Sequence, residues 1–105
     1  MRVALHPEAR GELRRAAFWY EEQSPGLGDE FVAAVAAMLR QIGQSPRAFA
    51  PWLDALSASG EPIRRAILQR FPYVLAFETQ SDQVLVLAVA HGKRRPLYWL
   101  NRRTD

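Results

Sequence analysis

Val84-Leu85-Val86-Leu87-Ala88-Val89-Ala90 carries an apolar side chain at every position. Side chains alternate between the two faces of a strand, so a strand apolar throughout is buried on both of them. The run is strand-sized and too short to cross a bilayer. It therefore predicts a central strand in a sheet that is covered on each side. With 105 residues the chain has room for one domain, 1–105, to build that cover.

The other elements follow from changes in periodicity. Arg2 to Leu5 reads as a short strand, broken by His6-Pro7, and Pro7 suits the first position of a helix, where its missing N–H costs nothing. Ala9, Leu13, Ala16, Ala17 and Tyr20 then recur at helical spacing, up to a stop at Ser24-Pro25-Gly26. Leu27, Phe31, Ala34, Val35, Met38 and Ile42 mark a second helix, ended by Gly43 and Ser45-Pro46. So short a connection predicts an antiparallel helical hairpin. Residues 45–61, with Pro46, Pro51 and Gly60, read as a loop with a helical turn around Trp52 to Leu56. Ile63 to Leu68, Tyr73 to Thr79 and Val84 to Ala90 read as strands, the first pair joined across Phe71-Pro72 and the last across Gln80 to Gln83. The expected fold is α+β, in the order β-α-α-β-β-β: a helical hairpin on a mostly antiparallel sheet, with the N-terminal strand at an edge.

Composition narrows the function classes. Hydrophobic residues at 49% and charged residues at 24% suit a folded protein rather than a disordered one. The chain has no cysteine, which excludes disulfides, thiolate catalysis and the usual zinc cages. With no signal peptide or membrane span legible, the expected location is the cytoplasm. The formal charge of +3 is unevenly spread: residues 1–60 hold six Arg against seven Asp and Glu, whereas residues 61–105 hold eight Lys and Arg against four acids. A basic second half suits nucleic acid or an acidic protein inhibitor.

An ordered set of short pieces resembles the RelE/ParE toxin superfamily. It comprises His6-Pro7-Glu8-Ala9, Glu12-Leu13 with Ala16, Trp19-Tyr20-Glu21, Pro25-Gly26-Leu27-Gly28 with Phe31, and Ile42 ahead of Pro46. It continues with Ile63-Arg64-Arg65, Arg70-Phe71-Pro72-Tyr73, Phe77-Glu78, Ala88-Val89-Ala90-His91, Arg94-Arg95-Pro96, Tyr98-Trp99 and Arg102. No piece is specific alone; the order and spacing carry the likeness over nearly the whole chain. The resemblance implies a toxin of a type II toxin–antitoxin system, neutralised in a hetero-oligomer by an antitoxin encoded beside it. RelE-like members cleave mRNA on the ribosome, and ParE-like members act on DNA gyrase. Phe71-Pro72-Tyr73 and the stretch from His91 to Trp99 look closer to the ParE-like, plasmid-stabilisation branch, which implies inhibition of gyrase by binding. The alternatives are a ribosome-dependent mRNA endonuclease and, in another class, a non-toxic module that only binds its antitoxin.

Each candidate residue has a functional and a plain reading. Metal-free RNA cleavage needs an activated 2′-hydroxyl, a stabilised phosphorane and a protonated leaving oxygen, and His91, Arg95 and Tyr98 are the candidates for that chemistry. His91 equally suits a strand-ending residue bonded to backbone or stacked on Trp99. The target-binding candidates are Arg64, Arg65, Arg70, Lys93, Arg94, Arg95, Trp99 and Arg102, with the tail from Tyr98 to Arg103. They are expected to gather on the sheet face away from the helices. Strand alternation places Arg64 and Arg65 on opposite faces, and Lys93-Arg94-Arg95 also reads as a solvated turn. Tyr98 and Trp99 either stack on a base or pin the tail to the sheet. Phe18 lies roughly 150° round the helical wheel from the Leu13 stripe, with Trp19 beside it. The two suit either an antitoxin contact or chance exposure. Two distant histidines give no metal signature, and no cofactor or metal is expected.

Overall fold

A computed structural model describes residues 1–57 and 60–102. The chain runs β1 (Arg2–Leu5), α1 (Pro7–Gln23), α2 (Leu27–Gln44), a 3-10 turn (Pro46–Ala48), β2 (Pro51–Leu56), β3 (Pro62–Ile67), β4 (Tyr73–Thr79), β5 (Gln83–His91) and a last 3-10 turn (Leu100–Arg102). The five strands form one sheet in the order β1-β5-β4-β3-β2. Only β1 and β5 pair in parallel. The α+β class, the helical hairpin, the edge position of β1 and the mostly antiparallel sheet are as the sequence predicts. Among the described residues no helix is long and apolar enough to cross a membrane.

One expectation fails. The segment Trp52 to Leu56 is not a helical turn but part of β2, an edge strand antiparallel to β3. Its register slips between Pro51 and Leu56, and Trp52 and Ala55 both join the core beneath the sheet. Five steps along β2, from Pro51 to Leu56, oppose only two along β3, from Arg64 to Pro62, and an irregularity of three residues erases the period-two signal that sequence reading depends on. Pro51 is tolerated because it opens an edge strand.

The helices are set by local chemistry. His6 caps α1, its Nδ1 accepting the Glu8 N–H at 3.0 Å, and Pro7 takes the first turn. Glu21, in the last turn of α1, caps the next helix: its two carboxylate oxygens accept the N–H groups of Gly26 at 2.8 Å and Gly28 at 3.0 Å. Gly26 stands at φ 89°, a left-handed conformation that glycine adopts without strain.

Two cores lie on the two faces of the sheet. Toward the helices, Ala9, Ala16, Phe31, Val35 and Ile42 meet Leu75, Phe77, Val84, Val86 and Val89. Tyr20, Phe31, Phe71 and Tyr73 pack there with ring centroids 4.9–6.2 Å apart, edge to face except for the tilted Tyr20–Phe31 pair at 36°. The opposite face buries Ile63, Ala76, Leu87, Ala88, Ala90 and Trp99. Strand β5 thus lies inside the sheet, between β1 and β4, and is covered on both sides. A bulge interrupts its pairing with β4: Ala76 faces Ala88 while Phe77 faces Val86, which leaves Leu87 as the extra residue. The bulge resets the alternation, so that Val89 rather than Ala88 points to the helices.

Candidate functional site

Strand β1 pairs only with Gln83 to Val86, so the second half of β5 has no strand on its outer side. Helix α1 crosses that gap, and Glu12 takes part in closing it. Glu12 shares the apolar stripe with Ala9 and Ala16 and is buried like them, with 8% of its surface exposed. Its Oε1 accepts the Val89 N–H at 3.0 Å and Arg102 Nη1 at 2.9 Å; its Oε2 accepts the Tyr98 hydroxyl at 2.6 Å. Arg102 Nη1 also donates to the Leu87 carbonyl at 3.1 Å. The ion pair is largely dry, with side-chain exposures of 13% and 7%. A buried carboxylate needs such donors to offset its lost hydration.

This cluster fixes the path of the C-terminal segment. Leu97 adopts φ 63°, a conformation that costs a non-glycine residue about 1 kcal/mol or more. Next to it, Tyr98 reaches Glu12 while Trp99 is buried in the opposite core, its ring 5.5 Å from Trp52. Burial pushes the Tyr98 hydroxyl well above the usual tyrosine range; its bond to Glu12 and that group's charge push it further, and Arg94 and Arg102 oppose the shift only in part. At neutral pH Tyr98 is a neutral donor with its proton committed to Glu12.

Above the cluster lies a cleft of about 200 Å³ between α1 and β5, lined by Arg15, Trp19, Tyr73, His91 and Arg94. His91 Nδ1 accepts the Lys93 N–H at 3.0 Å, so the neutral ring carries its proton on Nε2. The His91 ring meets Tyr73 edge-on at 5.2 Å and not Trp99, the partner its sequence position suggested. The Arg94 guanidinium lies 4.0 Å from the centroid of Tyr98.

The expected single arginine face does not form. Arg64 donates to the Phe49 carbonyl at 2.8 Å on the helix side, whereas Arg65 lies over Trp52 on the opposite side. This is the split that strand alternation predicts. Arg70 sits in the turn before β4, paired with Glu30 of α2 at 2.7 Å and placed over Phe71. Lys93, Arg94 and Arg95 are exposed after β5. Trp99, at 1% exposure, fills a core and offers no ring face to a target. Of the tail, Arg102 is held by Glu12, and Arg103 lies outside the described residues. Phe18 and Trp19 are exposed at 66% and 55%, and Trp19 borders the cleft. The structure thus brings Trp19, His91, Arg94, Tyr98 and Arg102 around Glu12 and leaves Arg64, Arg65 and Arg70 elsewhere. Among the described residues no group of three His, Asp or Glu side chains is placed to hold a metal ion.

Sequence reading missed Glu12 and Arg15. The signal for Glu12 was present: an acid seated three residues after Ala9 and four before Ala16, in line with an apolar stripe. Arg15 carries no comparable mark.

Comparison with known proteins decides the family. Residues 3–96 match the model of the ParE toxin of the type II toxin–antitoxin system parDE. The chain belongs to the ParE toxin family. The match spans both helices and the sheet through β5, and it stops just short of Tyr98 and Arg102. Among relatives, Toxin ParE2 of Mycobacterium tuberculosis, from strain CDC 1551 / Oshkosh and from strain ATCC 25618 / H37Rv, is 29% identical over 96 residues, covering 90% of this chain and 85% of the relative. A solved structure titled as the chromosomal ParDE TA system from P. aeruginosa superposes with a TM-score of 0.68 at 17% identity, over 87% of this chain and 95% of the other. That likeness concerns the ParE fold.

Proposed function

We propose that this ParE-family chain is the toxin of a type II toxin–antitoxin pair, that it inhibits DNA gyrase by binding, and that an antitoxin holds it inactive in a hetero-oligomer. Family membership supports the toxin reading, and the state of Tyr98 supports binding over cleavage. A nuclease tyrosine must give or take a proton at the substrate. Here the hydroxyl proton is bound to Glu12 at 2.6 Å and burial disfavours the phenolate. The side chains left open beside it, Arg94 and Arg95 on an exposed turn, suit contact with a target rather than acid–base chemistry. The exposed pair Phe18 and Trp19 on α1 suits the antitoxin contact.

The test uses induced expression together with purified gyrase. Growth arrest with filamentation, a DNA-damage response and inhibited supercoiling is the expected result. Loss of translation with transcripts cut on ribosomes would move the chain to the nuclease class. In that case Tyr98→Phe and a double His91→Ala, Arg95→Ala variant would show whether these side chains cut. Absence of any arrest would leave an antitoxin-binding module.

A further inference from the structure

We propose that a second cleft, at the β3–β4 end of the sheet, is a ligand site for a small amphipathic carboxylate. The ligand's ring or alkyl chain lies against Trp52 and Val74, and its carboxylate meets Arg65. The site uses none of Phe18, Trp19, Arg94 and Arg95, so it stands apart from the reading of the chain as a gyrase-binding toxin.

Shape is the first observation. Where the turn from β3 to β4 meets the residue after β5, a cleft of about 290 Å³ opens between Trp52, Ile67, Phe71, Val74 and Gly92. That is near the lower end of the roughly 300–1,000 Å³ of small-molecule sites, so one ring or a short alkyl chain fills it. Trp52 and Val74 belong to the core on the face away from the helices. Ile67, 59% exposed, carries the apolar wall out to the mouth. Gly92 keeps the space clear. A Cβ there would meet nothing nearer than the Pro72 carbonyl at 3.5 Å, an ordinary contact, so the fold has room for a side chain that the sequence leaves out.

Charge selects the ligand. Among the described residues that line the cleft, Arg65 is the one charged side chain. The ion pairs among the described residues, Arg70–Glu30 and Arg102–Glu12, leave it without a counter-charge. Its guanidinium lies over Trp52, 5.5 Å from the ring centroid, and a stacked guanidinium keeps its in-plane N–H groups for a carboxylate. The nearby Arg70, over Phe71, is already bound to Glu30 at 2.7 Å. Trp52 adds a second unmet donor: its Nε1–H is buried with no acceptor among the described residues, whereas buried donors are normally paired. An anionic head drawn to Arg65 thus arrives at the ring that carries this orphaned N–H. A cationic amphiphile would meet repulsion instead.

The test titrates the purified protein with hydrocinnamate and with its neutral counterpart, hydrocinnamyl alcohol, followed by amide shifts in NMR. Hydrocinnamate should bind saturably and move the amides of Arg65, Val74 and Gly92, with the alcohol binding more weakly. Arg65→Gln should weaken the carboxylate about fivefold and leave the alcohol within about twofold, because only the carboxylate meets the charge. Arg70→Gln removes a charge outside the cleft and should change neither. Gly92→Leu fills the space and should abolish binding of both. If it fails to fold, Ile67→Glu at the exposed mouth should repel the carboxylate and spare the alcohol. Thermal midpoints of the variants separate loss of binding from loss of folding. The proposal is overturned by equal affinity for carboxylate and alcohol, by an Arg65→Gln variant that binds like the wild type, or by shifts confined to the cleft beside His91 and Arg94. Absence of saturable binding overturns it too. So does self-association that Gly92→Leu disperses, which would give the cleft to a second copy of the chain.

Discussion

Tyr98 donates its hydroxyl to Glu12 at 2.6 Å across 86 positions of sequence, and this bond ties the C-terminal segment to the first helix. Arg102 adds a second tie to the same carboxylate. The chain's two ends are thereby fastened at the one stretch of β5 that lacks a neighbouring strand. Gaps of this kind are where sheets otherwise recruit foreign strands.

Tyr98→Phe removes one donor from a buried carboxylate and should cost about 1–3 kcal/mol of stability. Glu12→Ala leaves Arg102 without its buried counter-charge and should cost about 3 kcal/mol or more. Urea unfolding gives both numbers, and amide exchange supplies a local check. In Glu12→Ala the Val89 N–H loses its acceptor, so its exchange should speed up more than that of Leu75 in the middle strand. Equal acceleration at both sites would mean that Glu12 acts only on global stability.

The chain's three tyrosines should all titrate late. Burial raises Tyr20 and Tyr73, with nearby charge adding to the shift at Tyr73, and burial with the Glu12 bond raises Tyr98 furthest. The folded state favours the neutral phenol in each case. The linked stability is fully present below the unfolded value of about 10 and is lost as pH rises through the folded values. Phenolate absorbance should therefore appear at higher pH in the native protein than in the chain unfolded by denaturant, with alkaline unfolding following. Tyr98→Phe should reduce that alkaline loss. A native phenol titrating at or below its ordinary value contradicts the burial described above.

Gly28→Ala should destabilise the helical hairpin by about 1–3 kcal/mol through overpacking. A Cβ at this position would stand 2.5 Å from the Ala17 carbonyl oxygen and 3.0 Å from Glu21 Cβ. The backbone of α1 cannot yield as a flexible side chain does, so the helices must part, and Glu21 then loses its grip on the start of α2. The urea midpoint should fall; an unchanged midpoint would show that the two helices have slack.

Phe18→Ala and Trp19→Ala should each weaken antitoxin binding by about 1–3 kcal/mol, on interface hot-spot grounds. Both side chains are more than half exposed, so their removal should leave the thermal midpoint of the free toxin nearly unchanged. A titration in which both variants bind like the wild type would take α1 out of the interface.

The elements with an uninterrupted period were legible in the sequence. The apolar run of β5 announced a strand covered on both faces, and the stripes of α1 and α2, with Pro7 and Gly26 at their starts, announced the hairpin. Local hydrophobic pattern and backbone chemistry specify such elements whatever lies around them. Strand β2 was hidden because its pairing slips by three residues between Pro51 and Leu56, and a slip of an odd number destroys the alternation that marks a strand.

The site was decided otherwise. Strand alternation already separated Arg64 from Arg65, but nothing in the linear order placed Arg70 against Glu30 or buried Trp99 beneath the sheet. The place of Glu12 in the apolar stripe of α1 marks it for burial but names no partner for it. Glu12 becomes the anchor of the tail only because β1 ends beside Val86, the bulge at Leu87 turns Val89 toward α1, and the left-handed Leu97 brings Tyr98 back across. Those contacts join residues 77 to 90 positions apart. Pairing over such distances depends on how the sheet twists and where its edge is left open, which is a property of the packed fold and not of any local run of residues.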